Sequence, residues 1–230
     1  MQMSEKSDKK RVLVFGASGL VGTQMVLELN RDESYSSVIV FVRKPLKINY
    51  PKVTEQVIDF DRLEKYAPLF QGDELFICLG TTIKKAGSAG AVEKIDRDLP
   101  VGIARLAFEN GVKRIGVVSS LGANPALRNF YLRIKGEMEA GIRAIPFDQI
   151  VIARPSMLLG ERADFRFGEA FGKVVMKAVN VLLVGSMRKY RGIEGQAVAR
   201  AMIALIGSGE KEIIYESDVL QNWADASKQD

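Results

Sequence analysis

The sequence predicts an α/β fold built on a doubly wound, mainly parallel sheet with helices on both faces. Three observations predict it. Short apolar runs alternate with longer amphipathic runs, a glycine-rich turn separates the first such pair, and no repeat or linker divides the 230 residues. Strands that alternate with helices pair in parallel, because each helix packs back across the sheet before the next strand begins.

Seven short apolar segments predict the strands, since each is bounded by polar or turn residues. They are RVLVF (11–15), SVIVFV (37–42), KVTEQVI (52–58), ELFICL (74–79), RIGVVSS (114–120), FDQIVIAR (147–154) and KEIIYES (211–217).

Longer amphipathic segments predict the helices. They are 20–30, 92–109, 127–145, 170–180, 193–207 and a short helix at the carboxyl terminus, with a polar loop over 161–169. We expect residues 1–10 to form a flexible polar tail and 11–230 to form a single domain. Small insertions after Pro155 are expected at the carboxyl edge of the sheet, where open α/β sheets bind their ligands.

The composition excludes several kinds of chemistry. The chain has no histidine, which removes Ser-His-Asp and Cys-His catalysis and the usual imidazole zinc sites, so we expect no metal. Cys78 is the only cysteine, so no intrachain disulfide can form, as is typical of a reducing compartment. Proton transfer near neutral pH is therefore left to tyrosine, lysine, aspartate or glutamate.

Charge and hydropathy limit the partners. The net charge is +5, and the basic residues are scattered rather than gathered in the dense stripe typical of nucleic-acid binding. No apolar run approaches the roughly 18 to 20 residues that a membrane-spanning helix needs. We expect a cytoplasmic protein with no nucleic-acid and no membrane partner.

The first turn, GASGLVG, carries glycines spaced G-x-x-G-x-x-G. Small residues there let the backbone approach a pyrophosphate, and the helix that follows offers free N–H groups to phosphate oxygens. Glycines also serve plain turns, but a position between the first strand and a helix is the context that confirms a dinucleotide motif. The turn predicts a Rossmann-type fold whose phosphate-binding residues are Gly16, Ser18, Gly19, Leu20, Val21 and Gly22.

The end of the second predicted strand favours NADP(H) as the cofactor. An NAD site usually carries an acidic residue there to hold the ribose hydroxyls, whereas this chain has Arg43 and Lys44. A guanidinium can grip a 2′-phosphate that a carboxylate would repel. The alternative is that Arg43 is an ordinary loop cation.

Two more strand ends fit the same cofactor. Asp59 and Phe60 could meet the adenine amino group and ring, and Leu79, Gly80 and Thr81 could lie beside the middle of the cofactor. The alternatives are a helix N-cap for Asp59 and an ordinary strand-end turn for Gly80 and Thr81.

The segment FYLRIK places Tyr131 and Lys135 four residues apart on one side of a predicted helix. A free phenol has a pKa of about 10, and a neighbouring ammonium lowers the pKa by stabilising the phenolate. Tyr131 could then give a proton to a carbonyl oxygen while a nicotinamide delivers hydride to the carbon. The alternative is a pair on an ordinary helix face.

These motifs resemble the short-chain dehydrogenase/reductase superfamily, in its extended or atypical branch. Within it, CLGTTIKKAGSAG, EKIDRDLP and NFYLRIKGEMEA are similar to the family of the human Tat-interacting metastasis-suppressor oxidoreductase and its bacterial relatives. The resemblance implies an NADPH-binding Rossmann fold with a Ser-Tyr-Lys site. It also implies that the serine holding the substrate oxygen is Ser120, with Ser119 as the alternative.

Three further residues are weighed against the same resemblance. Leu158 and Arg166 match the family's pattern near the nicotinamide end and a cofactor phosphate, and a structural crossover with a surface arginine is the alternative. Asp96 lies near a position where many members carry asparagine. A surface charge explains that aspartate equally well, so no catalytic role is assigned to it.

Two functions follow. The first is an NADPH-dependent oxidoreductase that transfers hydride to the carbonyl of a small substrate, and the second is a catalytically weak or silent NADPH-binding regulator that acts through protein partners. The sequence does not identify the substrate. It leaves the oligomeric state open, a homodimer through the helices that flank the sheet included.

Overall fold

The computed structural model describes residues 9–160, 183–210 and 213–227. The described strands are β1 (Lys10–Phe15), β2 (Tyr35–Val42), β3 (Val53–Val57), β4 (Glu74–Ile77), β5 (Arg114–Val118), β6 (Gln149–Arg154), β7 (Leu158–Leu159), β8 (Ile193–Glu194) and β9 (Ile214–Glu216). Residues 1–8 of the tail predicted over 1–10, the loop over 161–169 and the helix over 170–180 lie outside the described residues. The end of the predicted tail is wrong at Lys10, which begins β1.

Seven of these strands form one sheet in the order β3-β2-β1-β4-β5-β6-β9, and every neighbouring pair is parallel. The predicted doubly wound parallel sheet is confirmed. Strands β7 and β8 form a separate two-stranded parallel ladder. With two residues each, β7 and β8 are too short to produce a readable pattern in the sequence.

The described α-helices are α1 (Leu20–Arg31), α2 (Ile83–Ala86), α3 (Ala89–Glu93), α4 (Leu99–Glu109), α5 (Phe130–Arg143), α6 (Gly195–Ile206) and α7 (Ser217–Ala226). Two 3₁₀ segments occur at Leu63–Leu69 and Gly185–Tyr190. Among the described helices, none is long and apolar enough to cross a bilayer.

The core has two layers because alternate side chains of a strand point to opposite faces of the sheet. On β1, Val12 and Val14 pack with α1, α6 and α7, whereas Leu13 and Phe15 pack with α4 and α5. The Phe15 ring stacks on the ring of Phe41 with centroids 4.5 Å apart. Burial on both faces explains why the central strands β1, β4 and β5 read as continuous apolar runs.

The helix predicted over 92–109 is divided. A π-helical turn, Lys94–Asp98, joins α3 to α4, and the Leu99 N–H donates to the carbonyl of Lys94, five residues earlier. Pro100 has no N–H to donate to the carbonyl of Asp96, so a regular helix would lose a bond at that position. The wider turn changes the direction of the Asp96 side chain, with consequences for the site.

The helix predicted from residue 127 begins three residues later. Asn129 is its N-cap, and its Oδ1 accepts a hydrogen bond from the Leu132 N–H at 3.0 Å. Asparagine is among the preferred N-cap residues because its side chain satisfies a donor of the first turn.

Candidate active site

The parallel sheet gathers the predicted residues at one edge. Because all seven strands run in the same direction, the segments after β1, β2, β3, β4, β5 and β6 leave the sheet at its carboxyl edge. Those segments contain every predicted site residue except Tyr131 and Lys135, which lie on α5, and Arg166, which lies outside the described residues.

The glycine turn is packed too tightly for side chains. Gly16 has φ of +89°, and a Cβ there would lie 2.5 Å from the Cys78 carbonyl oxygen. A Cβ on Gly22 would lie 2.1 Å from the Gly16 carbonyl oxygen. The first glycine therefore makes the turn and the third allows α1 to approach it, which is the division of roles that the motif requires.

The amino terminus of α1 is open to an anion. Gly19 is the N-cap and supplies no side chain, and the first turn of the helix contains no acidic residue. The N–H groups of the first turn of a helix have no intrahelical acceptor and carry the positive end of the helix dipole. Ser18 is exposed beside them, Leu20 is half-buried and Val21 is buried.

The end of β2 carries free positive charge. Arg43 and Lys44 are both exposed, and neither forms an ion pair with any other residue in the described part of the chain. The backbone beyond them is held by Glu55, which accepts hydrogen bonds from the N–H groups of Leu46, at 2.8 Å, and Ile48. The two cations are therefore available to a ligand phosphate.

The segment after β3 forms a turn rather than a helix cap. Asp59 is exposed, and its Oδ1 accepts the N–H of Asp61 at 2.9 Å. The N-cap of the following 3₁₀ segment is Arg62, so the alternative of a helix N-cap at Asp59 is wrong. The Phe60 ring meets the Phe15 ring edge to face, with centroids 6.2 Å apart.

Lys135 is buried in an ion pair with Asp96. The Lys135 Nζ lies 2.8 Å from Asp96 Oδ1, and the two side chains are 3% and 0% exposed. Asp96 Oδ2 accepts the Thr81 N–H at 2.9 Å. The interpretation of Asp96 as a surface charge is wrong, because the π-helical turn directs its carboxylate beneath the segment that leaves β4.

Gly80 covers this ion pair with backbone alone. A Cβ on Gly80 would lie 3.5 Å from Asp96 Oδ1 and 3.9 Å from Lys135 Nζ. The segment predicted to meet the middle of the cofactor therefore lies close to the lysine predicted to act with Tyr131, and its Thr81 N–H is bonded to the carboxylate of the pair. Tyr131, one helical turn before Lys135, is 41% exposed.

The two serines after β5 differ in environment. Ser119 is 4% exposed and its hydroxyl donates to Glu139 Oε1. Arg154, at the end of β6, donates to the same oxygen at 2.9 Å and forms a second bond with Oε2. Ser120 is half-buried, and no side-chain hydrogen bond is recorded for it among the described residues.

The pKa values of two side chains near this edge of the sheet, Arg154 and Cys78, are shifted. The hydrogen bonds with Glu139 raise the pKa of the Arg154 guanidinium above its ordinary value. Burial raises the pKa of the Cys78 thiol to about 12, so this cysteine is a poor nucleophile. No group of three or more acidic or cysteine side chains suited to a metal occurs in the described parts of the chain.

The substrate side of the site is only partly described. Leu158 lies in β7 and pairs with Ile193. A polar cavity of about 480 Å³ lies between the second 3₁₀ segment and α7, with Arg188, Arg191 and Gln221 in its lining. Neither Tyr131 nor Lys135 lines it.

Sequence reasoning missed two buried carboxylates, Asp96 and Glu139. A signal for Glu139 was present: Tyr131, Lys135 and Glu139 are spaced four residues apart and therefore lie along one side of α5. The resemblance drew attention to the position of Asp96, but the helical period did not show that its carboxylate is buried, because the direction of that side chain depends on a π-helical turn.

The chain is similar to known NAD(P)H-binding proteins. Residues 16–208 match the family described as NAD(P)H-binding. The chain is 34% identical over 222 residues to protein HTATIP2 of Rattus norvegicus, covering 94% of this chain and 90% of that one. It is 35% identical over 156 residues to the mitochondrial protein FMP52 of Saccharomyces cerevisiae, covering 66% and 67%.

A solved structure supports the fold independently. The oxidoreductase ylbE from Lactococcus lactis superposes with a TM-score of 0.66 at 15% identity, covering 96% of this chain and 97% of that one. At that identity the likeness concerns the fold alone. The family match and the HTATIP2 similarity confirm the resemblance inferred from the motifs: the chain belongs to the NAD(P)H-binding family and is a relative of HTATIP2.

Proposed function

We propose that the protein is an NADPH-dependent oxidoreductase of the short-chain dehydrogenase/reductase type that reduces a carbonyl group of a small substrate. The observation that carries the proposal is the arrangement on α5. Tyr131 is 41% exposed in the first turn of α5, and Lys135 lies one turn further on, buried close to Gly80. A buried cation thus lies close to the segment expected to meet the cofactor, and a proton donor lies one helical turn before that cation.

The residues fit NADP(H) in three ways. Gly16 and Gly22 leave no room for side chains, the N-cap of α1 is a glycine, and the cations after β2 are unpaired within the described chain. We assign the pyrophosphate to the turn of Gly16–Gly22, the 2′-phosphate to Arg43 and Lys44, and the adenine to Asp59 and Phe60. The remainder of the cofactor would lie along Leu79–Thr81 and Leu158. Arg166 is assigned to a cofactor phosphate on the resemblance alone.

Each side chain of the site has one role in the proposed reaction. Bound NADPH supplies a hydride to the carbonyl carbon. Tyr131 gives its hydroxyl proton to the carbonyl oxygen, so that the products are an alcohol and NADP⁺. Lys135 stabilises the tyrosinate that remains and bonds the nicotinamide ribose. Ser120, whose hydroxyl does not bond Glu139, holds the carbonyl oxygen in place. Ser119 has a structural role through its buried hydrogen bond to Glu139.

The test is NADPH oxidation in the presence of a panel of small aldehydes and ketones. Replacing Tyr131 with phenylalanine removes the proton donor and should lower turnover by about 100-fold or more, without loss of NADPH binding. Tyr66→Phe is the matched control, since Tyr66 lies in the first 3₁₀ segment, with the Lys65 ammonium over its ring. Equal turnover in Tyr131→Phe and the unsubstituted chain would overturn the mechanism.

Absence of turnover across the panel, with NADPH still bound, would instead support the NADPH-dependent regulator. We place the enzyme in the cytoplasm, following the sequence prediction. The FMP52 relative carries the name mitochondrial, so fractionation of cells that produce this protein decides the compartment.

A further inference from the structure

The segments around the first turn of α5 expose apolar side chains. Most of the exposed large apolar side chains in the described part of the chain lie on the segments after β4, β5 and β6 or on the segment just before β8. They include Ile83, Leu127, Met157, Met187 and Tyr190, in addition to Tyr131 itself. Single exposed apolar residues are ordinary, but a group of them on neighbouring loops marks a binding surface.

Backbone hydrogen bonds place three of these segments side by side. The Leu121 N–H donates to the Pro155 carbonyl at 3.0 Å, which joins the segment after β5 to the segment after β6. The Ile193 N–H donates to the Met157 carbonyl at 2.9 Å, which joins the segment after β6 to β8. The exposed apolar side chains therefore lie on adjoining segments at the carboxyl edge of the sheet.

The same segments carry positive charge only. Residues 78–92, 119–132, 155–160 and 183–193 contain no aspartate or glutamate, and their basic residues are Lys84, Lys85, Arg128, Arg188, Lys189 and Arg191. Acidic groups on neighbouring elements are already engaged: Asp96 pairs with Lys135, Glu139 with Arg154, and Glu216 with Lys189. A surface that combines apolar side chains with one sign of charge favours a ligand that is both apolar and anionic.

Arg128 is the cation placed best for a ligand at Tyr131. It is exposed, it lies three residues before Tyr131, and it forms no ion pair with a described residue. The backbone on both sides of it is fixed, because Asn124 Oδ1 accepts the Ala126 N–H at 2.9 Å and Asn129 is the N-cap of α5. A guanidinium binds a carboxylate, sulfate or phosphate group through two parallel hydrogen bonds.

The cations before β8 already have partners or lie beside acidic groups. Lys189 pairs with Glu216, and Arg191 donates through its Nε to a backbone carbonyl. Arg188 lines the polar cavity that also contains Asp218. These three are therefore less suited than Arg128 to an anion at the site.

The cofactor phosphates do not need Arg128. In the proposed function they lie at the turn after β1 and at the cations after β2. Arg128 follows β5, which lies on the opposite side of β4 in the sheet. Its charge is therefore left for the substrate, and the exposed Lys84 after β4 adds to the positive potential without the planar fork of a guanidinium.

We propose that the carbonyl substrate is an amphipathic anion, with an apolar body that packs on Leu127 and Met157 and a carboxylate, sulfate or phosphate group that Arg128 binds. The inference deepens the proposed function and rests on it for the reaction. Tyr131 gives its proton at the carbonyl group, while the apolar and anionic parts of the molecule hold that group in place.

The test compares NADPH oxidation with three aldehydes: azelaic semialdehyde, its methyl ester and succinic semialdehyde. The first has a long apolar chain and a carboxylate, the ester lacks the charge, and succinic semialdehyde lacks most of the chain. The unsubstituted protein should prefer azelaic semialdehyde to each of the others by about tenfold or more in kcat/KM. Equal values for the acid and its ester would overturn the proposal and leave the proposed function standing.

Variants assign the preference to residues. Arg128→Gln should remove most of the preference for the acid over the ester, and Arg128→Lys should keep part of it because a charge remains. Arg105→Gln, which removes an exposed cation of α4, should keep all of it. Met157→Ser should lower the preference for the long chain over the short one. A ratio of two substrates does not depend on how much of a variant folds, so an unchanged ratio in Arg128→Gln would overturn the proposal.

Binding without turnover separates the two proposals. Nonanoate has the chain and the charge but no aldehyde, and it should bind the NADP⁺-saturated protein in a calorimetric titration, about tenfold more weakly in Arg128→Gln. Binding of nonanoate by a chain that reduces no aldehyde would end the proposed function and keep the site. Absence of nonanoate binding overturns the site even where neutral aldehydes are reduced.

Discussion

A Cβ on Gly22 would lie 2.1 Å from the carbonyl oxygen of Gly16. This contact joins the first turn of α1 to the segment that leaves β1, and both partners are backbone, so neither can move aside as a flexible side chain would. The same turn carries the open amino terminus of α1. The packing of Gly22 and the binding of phosphate therefore depend on one geometry.

Replacing Gly22 with alanine should lower both stability and cofactor affinity. Forcing a methyl group into a packed site typically costs about 1–3 kcal/mol, and the shift of α1 needed to relieve it would move the N–H groups from the phosphates. Gly90→Ala is the matched control, because nothing lies within 4 Å of the added Cβ. Thermal unfolding and NADPH titration of the two variants check this. Equal behaviour of the two would contradict it.

The two serines after β5 should separate by experiment. Ser119→Ala removes a buried hydrogen bond to Glu139 and should lower the free energy of unfolding by about 1 kcal/mol, with little change in turnover. Ser120→Ala should leave stability unchanged and lower turnover by about 100-fold, if its hydroxyl holds the carbonyl oxygen. Urea unfolding and NADPH oxidation measured on both variants decide. The reverse pattern would assign the catalytic role to Ser119.

Arg43 should determine the preference for NADPH. Arg43→Ala removes a charged group that no described residue neutralises, and loss of its hydrogen bonds to a 2′-phosphate should weaken NADPH about 10- to 100-fold. NADH affinity should change little, since NADH lacks that phosphate. Arg105→Ala makes the same change of charge on an exposed position of α4 and controls for long-range electrostatics. A parallel loss of both cofactors in Arg43→Ala would argue for a general effect on the fold.

Glu28 joins α1 to α6 and should make stability depend on pH. Burial pushes the pKa of Glu28 upward, but hydrogen bonds from Arg200 and Gln196 outweigh burial and leave the pKa below the ordinary value of 4.5. Because the folded-state pKa is the lower one, the stabilisation is present above the unfolded value and is lost as the pH falls through the folded value.

Glu28→Gln should therefore lower the free energy of unfolding by about 1 kcal/mol at neutral pH. The difference from the unsubstituted chain should disappear in acid. Denaturant unfolding at neutral pH and at about pH 3 measures it, with the exposed Glu64→Gln as control. A difference that persists unchanged in acid would mean that packing, not charge, is responsible.

Much of this architecture was predictable from the pattern of residues. The central strands β1, β4 and β5 lie buried on both faces, so their apolar runs stand out. The glycine turn is recognisable because side chains at Gly16 and Gly22 would clash with the backbone. The placement of Tyr131 and Lys135 on one face of α5 follows from the helical period alone.

The features that the residue pattern could not predict depend on contacts between segments that are distant in the sequence. Asp96 looks like any acidic helix residue until Pro100 breaks the regular helix and the π-helical turn directs the carboxylate inward. Ser119 and Ser120 are neighbours in the sequence, and only the position of Glu139 on α5 distinguishes their environments. A helical or strand period describes one element at a time, so it carries no information about such pairs.

The first measurement to make is a calorimetric titration of the protein with NADPH and, separately, with NADH. The glycine turn, the open amino terminus of α1 and an Arg43 that pairs with no described acidic residue predict tight binding of NADPH and much weaker binding of NADH. Failure of both to bind would mean that the glycines serve only as a turn, and the catalytic role of Tyr131 and Lys135 would be contradicted with them.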